Sequence, residues 1–242
     1  MPPNEQSPQF PTTHWTLVQR VQEGDESSAA AALEAICQAY WFPIYSFLRG
    51  SGKSVADAED LTQALFTALI KDDMLEAVRR DRGRLRAFLL GALRHVISDD
   101  NRHHRAKKRG GGETHFSIDA VAEERFQNLH GKAQENPEQI YLRAWATELL
   151  DGVREKLRAA FEKKGRLELF NAIQPYLGSE ERLPPYEDLA QSLQSTPGAV
   201  KTMIYRLRKK YRELLEREIA MTVMKPEDIE EELAWLRSVI SE

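Results

Sequence analysis

Cysteine is almost absent from this chain: Cys37 stands alone in 242 residues. An intrachain disulfide framework is therefore excluded, and a reducing compartment is the expected setting. No apolar run approaches the length of a membrane span, so no membrane insertion is expected. The first ten residues, MPPNEQSPQF, are polar and Pro-rich and lack the basic-then-apolar pattern of a signal peptide, which points to a cytoplasmic location. Convincing strand alternation is missing too. Nearly every apolar stretch has a helical period, and the chain is read as all-α. Positive charge is not in excess: the formal net charge is −4, so any nucleic-acid binding must come from local patches. Finally, there is no Ser/His/Asp, metal-ligand or phosphate-loop constellation to support an enzyme, so no cofactor and no metal are expected.

What is present divides by composition. Residues 1–13 read as a disordered N-terminus and 14–110 as a helical domain. Residues 111–137 turn acidic and polar after a glycine triplet, a flexible-linker signature in which AVAEERFQ could hold a short helix. A second small helical domain follows over 138–222. The last stretch, 223–242, is acidic, with Pro226 suited to a helix start and Ile229, Leu233, Leu236 and Ile240 at helical spacing. This tail helix is expected either to fold back on a domain or to await a regulator. No internal repeat is visible.

Lys and Arg crowd into TPGAVKTMIYRLRKKYRELL, from Thr196 to Leu215. Val200, Ile204, Leu207, Tyr211 and Leu214 form one apolar stripe of a helix. Thr202, Tyr205, Arg206, Lys209 and Arg212 lie mostly opposite. Thr196 suits the N-cap, and Pro197 the first helical position, where its missing N–H costs nothing. Before them, YEDLAQSL (Tyr186 to Leu193) reads as a short amphipathic helix with the small Ala190 at a close crossing. Short helix, tight QSTP turn and longer basic helix make a helix-turn-helix pattern. Gln194 stands in the turn where glycine is usual, at a cost of very roughly 1 kcal/mol if its backbone is left-handed. The plainer reading of such a charge run is a solvated helix face.

GRLRAFLLGALRHVISDDNRHHRAKKRGGG, from Gly83, carries a second basic face. Leu85, Leu89, Ala92, Leu93 and Val96 form its apolar side. Arg84, Gly91, His95, Ser98, Arg102, Arg105 and Arg109 line another side of the same rod, and such a face suits a phosphate backbone. His95, His103 and His104 are weak metal candidates, since the adjacent pair points apart and no carboxylate or cysteine joins them at ligand spacing. A solvated basic tail is the competing account. In SVADAEDLTQALFTALIK, Leu61, Leu65, Ala68 and Leu69 make the buried stripe. Asp60, Gln63 and Thr67 share another face with Phe66 at its edge, which is either an aromatic anchor for a partner or part of the core.

Together these segments resemble a bacterial RNA polymerase sigma factor of the extracytoplasmic-function type, over about Thr13 to Thr222. DAEDLTQALF resembles the second conserved region, which docks on core polymerase. GRLRAFLLGALRHVISDDNRHHRAKKRGGG resembles the part that opens and reads the start-proximal promoter element. YEDLAQSLQSTPGAVKTMIYRLRKKYRELL resembles the fourth region, which reads the upstream element. A subgroup known from planctomycete-like bacteria is closer still. The shared features are the Thr13-x-Trp15 start, the basic run ending KRGGG, the insertion LFNAIQPYLGSEERLPPY and an acidic C-terminal extension.

The resemblance implies that Asp60, Leu61, Gln63 and Phe66 contact the polymerase, with Ala64 standing where many relatives have Glu. It implies that Arg102, Arg105, Lys107 and Lys108 hold phosphates, as the basic face already suggests for Arg84. His95 falls where typical members place an Asn beside an unpaired base, and it could stack on or hydrogen-bond that base. Thr196, Lys201, Thr202, Tyr205, Arg206 and Lys209 would face the upstream duplex. The acidic linker would thread a positively charged polymerase channel or act only as a tether. Expected partners are core RNA polymerase and promoter DNA, with an anti-sigma factor or other regulator as a further candidate. The alternatives are a stand-alone helix-turn-helix regulator and a nucleic-acid enzyme built around the histidines.

Overall fold

The structure is a computed structural model that describes residues 14–71, 74–76, 78, 84–107, 120–129, 136–178, 183–223 and 225–241. Those residues form α-helices and one short 3₁₀ turn, with no strand among them. Two compact units result. One comprises residues 1–148 and 220–242, the other 149–219.

In the first unit the helices are α1 (His14–Glu23), α2 (Glu26–Gly50), α3 (Val55–Lys71), α4 (Leu85–Lys107), α5 (Ala120–Leu129), the first part of α6 (Pro137–Glu162) and α10 (Asp228–Ser241). Starts are set by local hydrogen bonds. The Asp25 carboxylate accepts from the Ser28 amide at 2.9 Å and caps α2. Ser54 and Asp57 bond reciprocally at the head of α3, where the Asp57 amide donates to the Ser54 hydroxyl and that hydroxyl to the Asp57 carboxylate. Gly52, at φ 81°, makes the turn between α2 and α3. Leucines at helical spacing then bury one face of each rod: Leu61, Leu65 and Leu69 on α3, and Leu85, Leu89 and Leu93 on α4. Tyr40, Ile44, Tyr45 and Leu48 of α2 and Tyr141 and Trp145 of α6 are buried in the same unit.

The acidic 111–137 stretch is not a bare tether. Its middle forms α5, which is clasped to α2. Glu123 Oε1 and Oε2 accept from Arg49 Nη2 and Nε, both at 2.8 Å, and Oε2 also accepts from the Tyr45 hydroxyl at 2.7 Å. Phe126 meets Tyr45 edge-on at 6.5 Å, and Arg125 lies over the Phe42 ring at 4.4 Å. The sequence offered a short helix here but no sign of its partners, which lie more than seventy residues away. The Arg49 hydrogen bonds hold the Glu123 carboxyl down at about 2, below its ordinary 4.5. A carboxyl lowered on folding adds stability that is fully present above 4.5 and is lost as pH falls towards 2. Glu123→Gln is therefore expected to flatten the pH dependence of urea-unfolding stability across that window. An unchanged slope would show that the clasp does not form in solution.

The second unit holds the rest of α6, α7 (Leu167–Ile173), a 3₁₀ turn (Gln174–Leu177), α8 (Tyr186–Ser192) and most of α9 (Pro197–Ala220). Leu157, Phe170, Ile173, Tyr176, Leu189, Ala190, Val200, Ile204 and Leu207 form its core. The insertion before α8 is tied in at two points. The Tyr176 hydroxyl donates to the Pro184 carbonyl at 2.6 Å, and Arg208 Nε donates to the Tyr176 carbonyl at 2.8 Å.

Helix α8 ends in a Schellman motif. The Ser195 amide donates to the Ala190 carbonyl at 2.8 Å and the Gln194 amide to the Gln191 carbonyl at 3.1 Å. The motif needs a left-handed residue, and Gln194 adopts φ 48°, the conformation anticipated from its place in the turn. Gln194→Gly should raise stability by about 0.5–1 kcal/mol in urea unfolding by relieving the Cβ clash. A loss of stability would mean the glutamine side chain contributes more than the strain costs.

Contact density divides the chain inside α6 and at the end of α9, rather than at the predicted 137/138 boundary. The physical reason is that α6 runs unbroken through both cores. Tyr141 and Trp145 belong to the first, and Leu157 to the second. The 223–242 segment counts with the first unit, through buried Val223, Leu233 and Leu236. The expected N-terminal disorder over 1–13, the Thr13 position and the KRGGG run lie outside the described residues.

Candidate nucleic-acid interfaces and docking face

Helix α9 presents its charge as the sequence pattern requires. Val200, Ile204 and Leu207 are buried, while Lys201, Thr202, Tyr205, Arg206 and Lys209 are exposed. Thr196 caps the helix, its hydroxyl accepting from the Ala199 amide at 3.2 Å. The Thr202 hydroxyl donates to the Gly198 carbonyl at 3.0 Å, so its proton is committed and its lone pairs face outward. Intrahelical ion pairs fall in the second half of α9: Lys210 with Glu213 at 3.3 Å and Arg212 with Glu216 at 2.6 Å. Among the described residues, Lys201, Arg206 and Lys209 have no carboxylate partner. Tyr205 is 67% exposed in their midst. A large aromatic left in water among unpaired cations is a surface built for contact with something else.

Helix α4 is more guarded than its sequence suggests. Its apolar face is buried as expected, with Val96 half-buried at its end, and His95 and Ser98 are exposed. Arg84, expected on phosphate, is instead paired with Glu232 Oε2 of α10 at 2.8 Å. Its neighbour Arg86 is buried and meets Glu232 Oε1 at 2.5 Å. The sequence could not show this, because the carboxylate comes from almost 150 residues downstream. Arg94 is likewise paired, with Glu138 of α6. Arg102, Arg105 and Lys107 fall on the last turns of α4. Their side chains, those of His103 and His104, and all of Lys108 lie outside the described residues. No cluster of three or more metal-ligating side chains occurs among the described residues.

On α3 the expected docking set splits. Asp60 and Gln63 are exposed, whereas Leu61 and Phe66 are buried, at 5% and 7% exposure. Of the two readings of Phe66, the structure supports the core one, so Phe66 is not an exposed anchor. The exposed stripe runs Asp60, Gln63, Thr67 and Ile70, with Ile70 51% exposed. Sequence reading missed Ile70. Extending the three-and-four spacing of the polar stripe by one step would have found it.

No helix among the described residues is long and apolar enough to cross a membrane. No curated protein and no solved structure matches the chain. The family model for ECF sigma factors, by contrast, matches residues 12–162, from the start of α1 to the end of α6. That is more than half of the chain, which therefore belongs to the ECF sigma factor family and has a sigma factor's role in transcription initiation.

Proposed function

We propose that this chain is a promoter-recognition subunit that places its two units on two promoter elements. The exposed stripe of α3, through Asp60, Gln63 and Ile70, docks on core RNA polymerase. Helix α4 and the basic run after it engage the start-proximal element, with His95 beside an unpaired base and Arg102, Arg105, Lys107 and Lys108 on phosphates. There the protein stabilises the open form by capturing flipped bases. Helix α9 reads the upstream duplex through Thr196, Lys201, Thr202, Tyr205, Arg206 and Lys209. The chain itself catalyses no reaction and works in the cytoplasm. The four shared sequence features favour membership of the planctomycete-associated subgroup, and an anti-sigma factor or other regulator is a further partner.

The observation that carries this reading is the exposed Lys201, Arg206 and Lys209 face of α9, which has no carboxylate partner among the described residues, lies beyond the family match and completes a helix-turn-helix in a chain of net charge −4. A stand-alone regulator would need only that second unit, and would act as a symmetric dimer on a palindrome. Binding of the purified chain to core polymerase separates the two. Tight binding that a Gln63→Ala, Ile70→Glu double variant loses, with unchanged thermal stability, is the expected result. No binding to core, with duplex affinity retained, would overturn it in favour of the stand-alone regulator.

A further inference from the structure

The acidic C-terminal helix α10 makes a contact that packing alone does not require. Asp228, Glu230, Glu231 and Glu232 crowd its first turns. Among them, Glu232 is fully buried. Its two oxygens are divided between Arg84 and Arg86, at the head of the helix read here as DNA-facing. The Arg86 guanidinium lies against the rings of both Trp145, at 4.3 Å, and Trp235 of α10, at 4.5 Å, and the two indoles touch each other with centroids 5.9 Å apart. The Tyr141 hydroxyl bonds the Arg86 carbonyl at 2.9 Å and fixes the backbone beneath. Arg84 differs from Arg86: its side chain is 38% exposed, and Glu232 is the carboxylate it meets. A carboxylate that approaches two guanidiniums through separate oxygens occupies them much as a phosphate would.

The junction also borders solvent. A cleft of about 250 Å³ opens between α4, α6 and α10, lined by Arg84, Leu90, Glu138, Tyr141, Leu142 and Trp235. Burying a carboxylate between two arginines is also a weak way to gain stability compared with apolar packing. A buried carboxylate on a half-exposed arginine, beside an open cleft, suits a helix whose hold on Arg84 can be exchanged, while Leu233 and Leu236 bury its apolar face.

We propose that α10 is an intramolecular competitor for nucleic-acid phosphate, with Glu232 occupying Arg84 and thereby withholding the head of α4 from DNA. This rests on the reading of α4 as a DNA-contacting helix. Release of α10, by core polymerase or by a partner that takes up Trp235 and its apolar face, hands Arg84 to the nucleic acid. Arg86 stays behind on Trp145 as part of the core.

The test is the affinity of the full-length chain for a single-stranded oligonucleotide across a salt series, with circular dichroism confirming the fold of each variant. Glu232→Gln should tighten binding by about three- to tenfold at low salt and steepen the salt dependence by about one phosphate contact, a slope change near 0.7. The same charge change at exposed Glu231 should leave affinity within about twofold of wild type. Adding Arg84→Gln to Glu232→Gln should cancel the gain. Trp235→Ala, which loosens α10 while keeping its charges, should also tighten binding, and it keeps the proposal open to refutation if Glu232→Gln folds poorly. Folded variants that bind like wild type would overturn the proposal, as would an equal gain from Glu231→Gln or a gain that survives Arg84→Gln. An Arg102→Gln, Arg105→Gln variant separates the two ways of failing. If it weakens binding while the α10 variants change nothing, α4 meets DNA but α10 does not compete. If it too changes nothing, the DNA reading of α4 fails.

Discussion

Phe66→Ala is expected to lower the unfolding free energy by about 3–5 kcal/mol, the usual result of removing a buried phenyl ring and leaving a cavity. At a temperature where the variant stays folded, its binding to core polymerase should stay close to wild type. Ile70→Glu should do the reverse, with little change in stability and a clear loss of core binding. The contrast follows from burial on one helix: Phe66 is 7% exposed and Ile70 51%. An exposed Ile exchanged for Glu loses little packing, but it places a charge in any apolar contact the stripe makes. Urea unfolding and a core-polymerase binding titration on the same two proteins check both halves. A Phe66→Ala protein of wild-type stability that fails to bind core would show the ring turning outward in the complex, and would restore it to the docking set.

That pair of residues also shows where sequence reading stops. Helical period identified α3 and its Leu61–Leu65–Leu69 stripe, because one buried face of a rod leaves a repeat that any window can see. The width of the buried face is a tertiary property. It depends on what else packs against the rod, and here it reaches Phe66. The helix-turn-helix was legible in full, down to the left-handed Gln194, because a tight turn is decided by the few residues that form it. The Glu123–Arg49 and Glu232–Arg84 pairs were not legible, since each joins helices far apart in sequence and a carboxylate carries no mark of its future partner. The same blindness made α4 look like an open cationic rail. Three arginines in or beside its described part, Arg84, Arg86 and Arg94, are already matched with acids from α6 and α10. Charge counted along a sequence is only an upper limit on charge available to a ligand.

On α9 that limit is approached, and Arg206→Ala is expected to weaken promoter binding by about 1–3 kcal/mol if the guanidinium reads a base edge. That corresponds to roughly 5- to 150-fold. The side chain is exposed, projects from the helix face away from Ile204 and Leu207, and has no carboxylate partner among the described residues. The loss should be confined to sequences carrying the recognised base, with non-cognate duplex affected far less. Lys209→Ala should behave differently. A lysine is a point charge suited to phosphate, so its removal should weaken all duplexes alike and lower the salt slope by about one contact. Competition titrations with cognate and scrambled duplexes at several salt concentrations distinguish the two. If Arg206→Ala also weakens every duplex equally, Arg206 is a phosphate contact, and sequence reading passes to Thr202 and Tyr205. The Thr202 hydroxyl, with its proton already given to Gly198, would then serve as an acceptor for a base amino group.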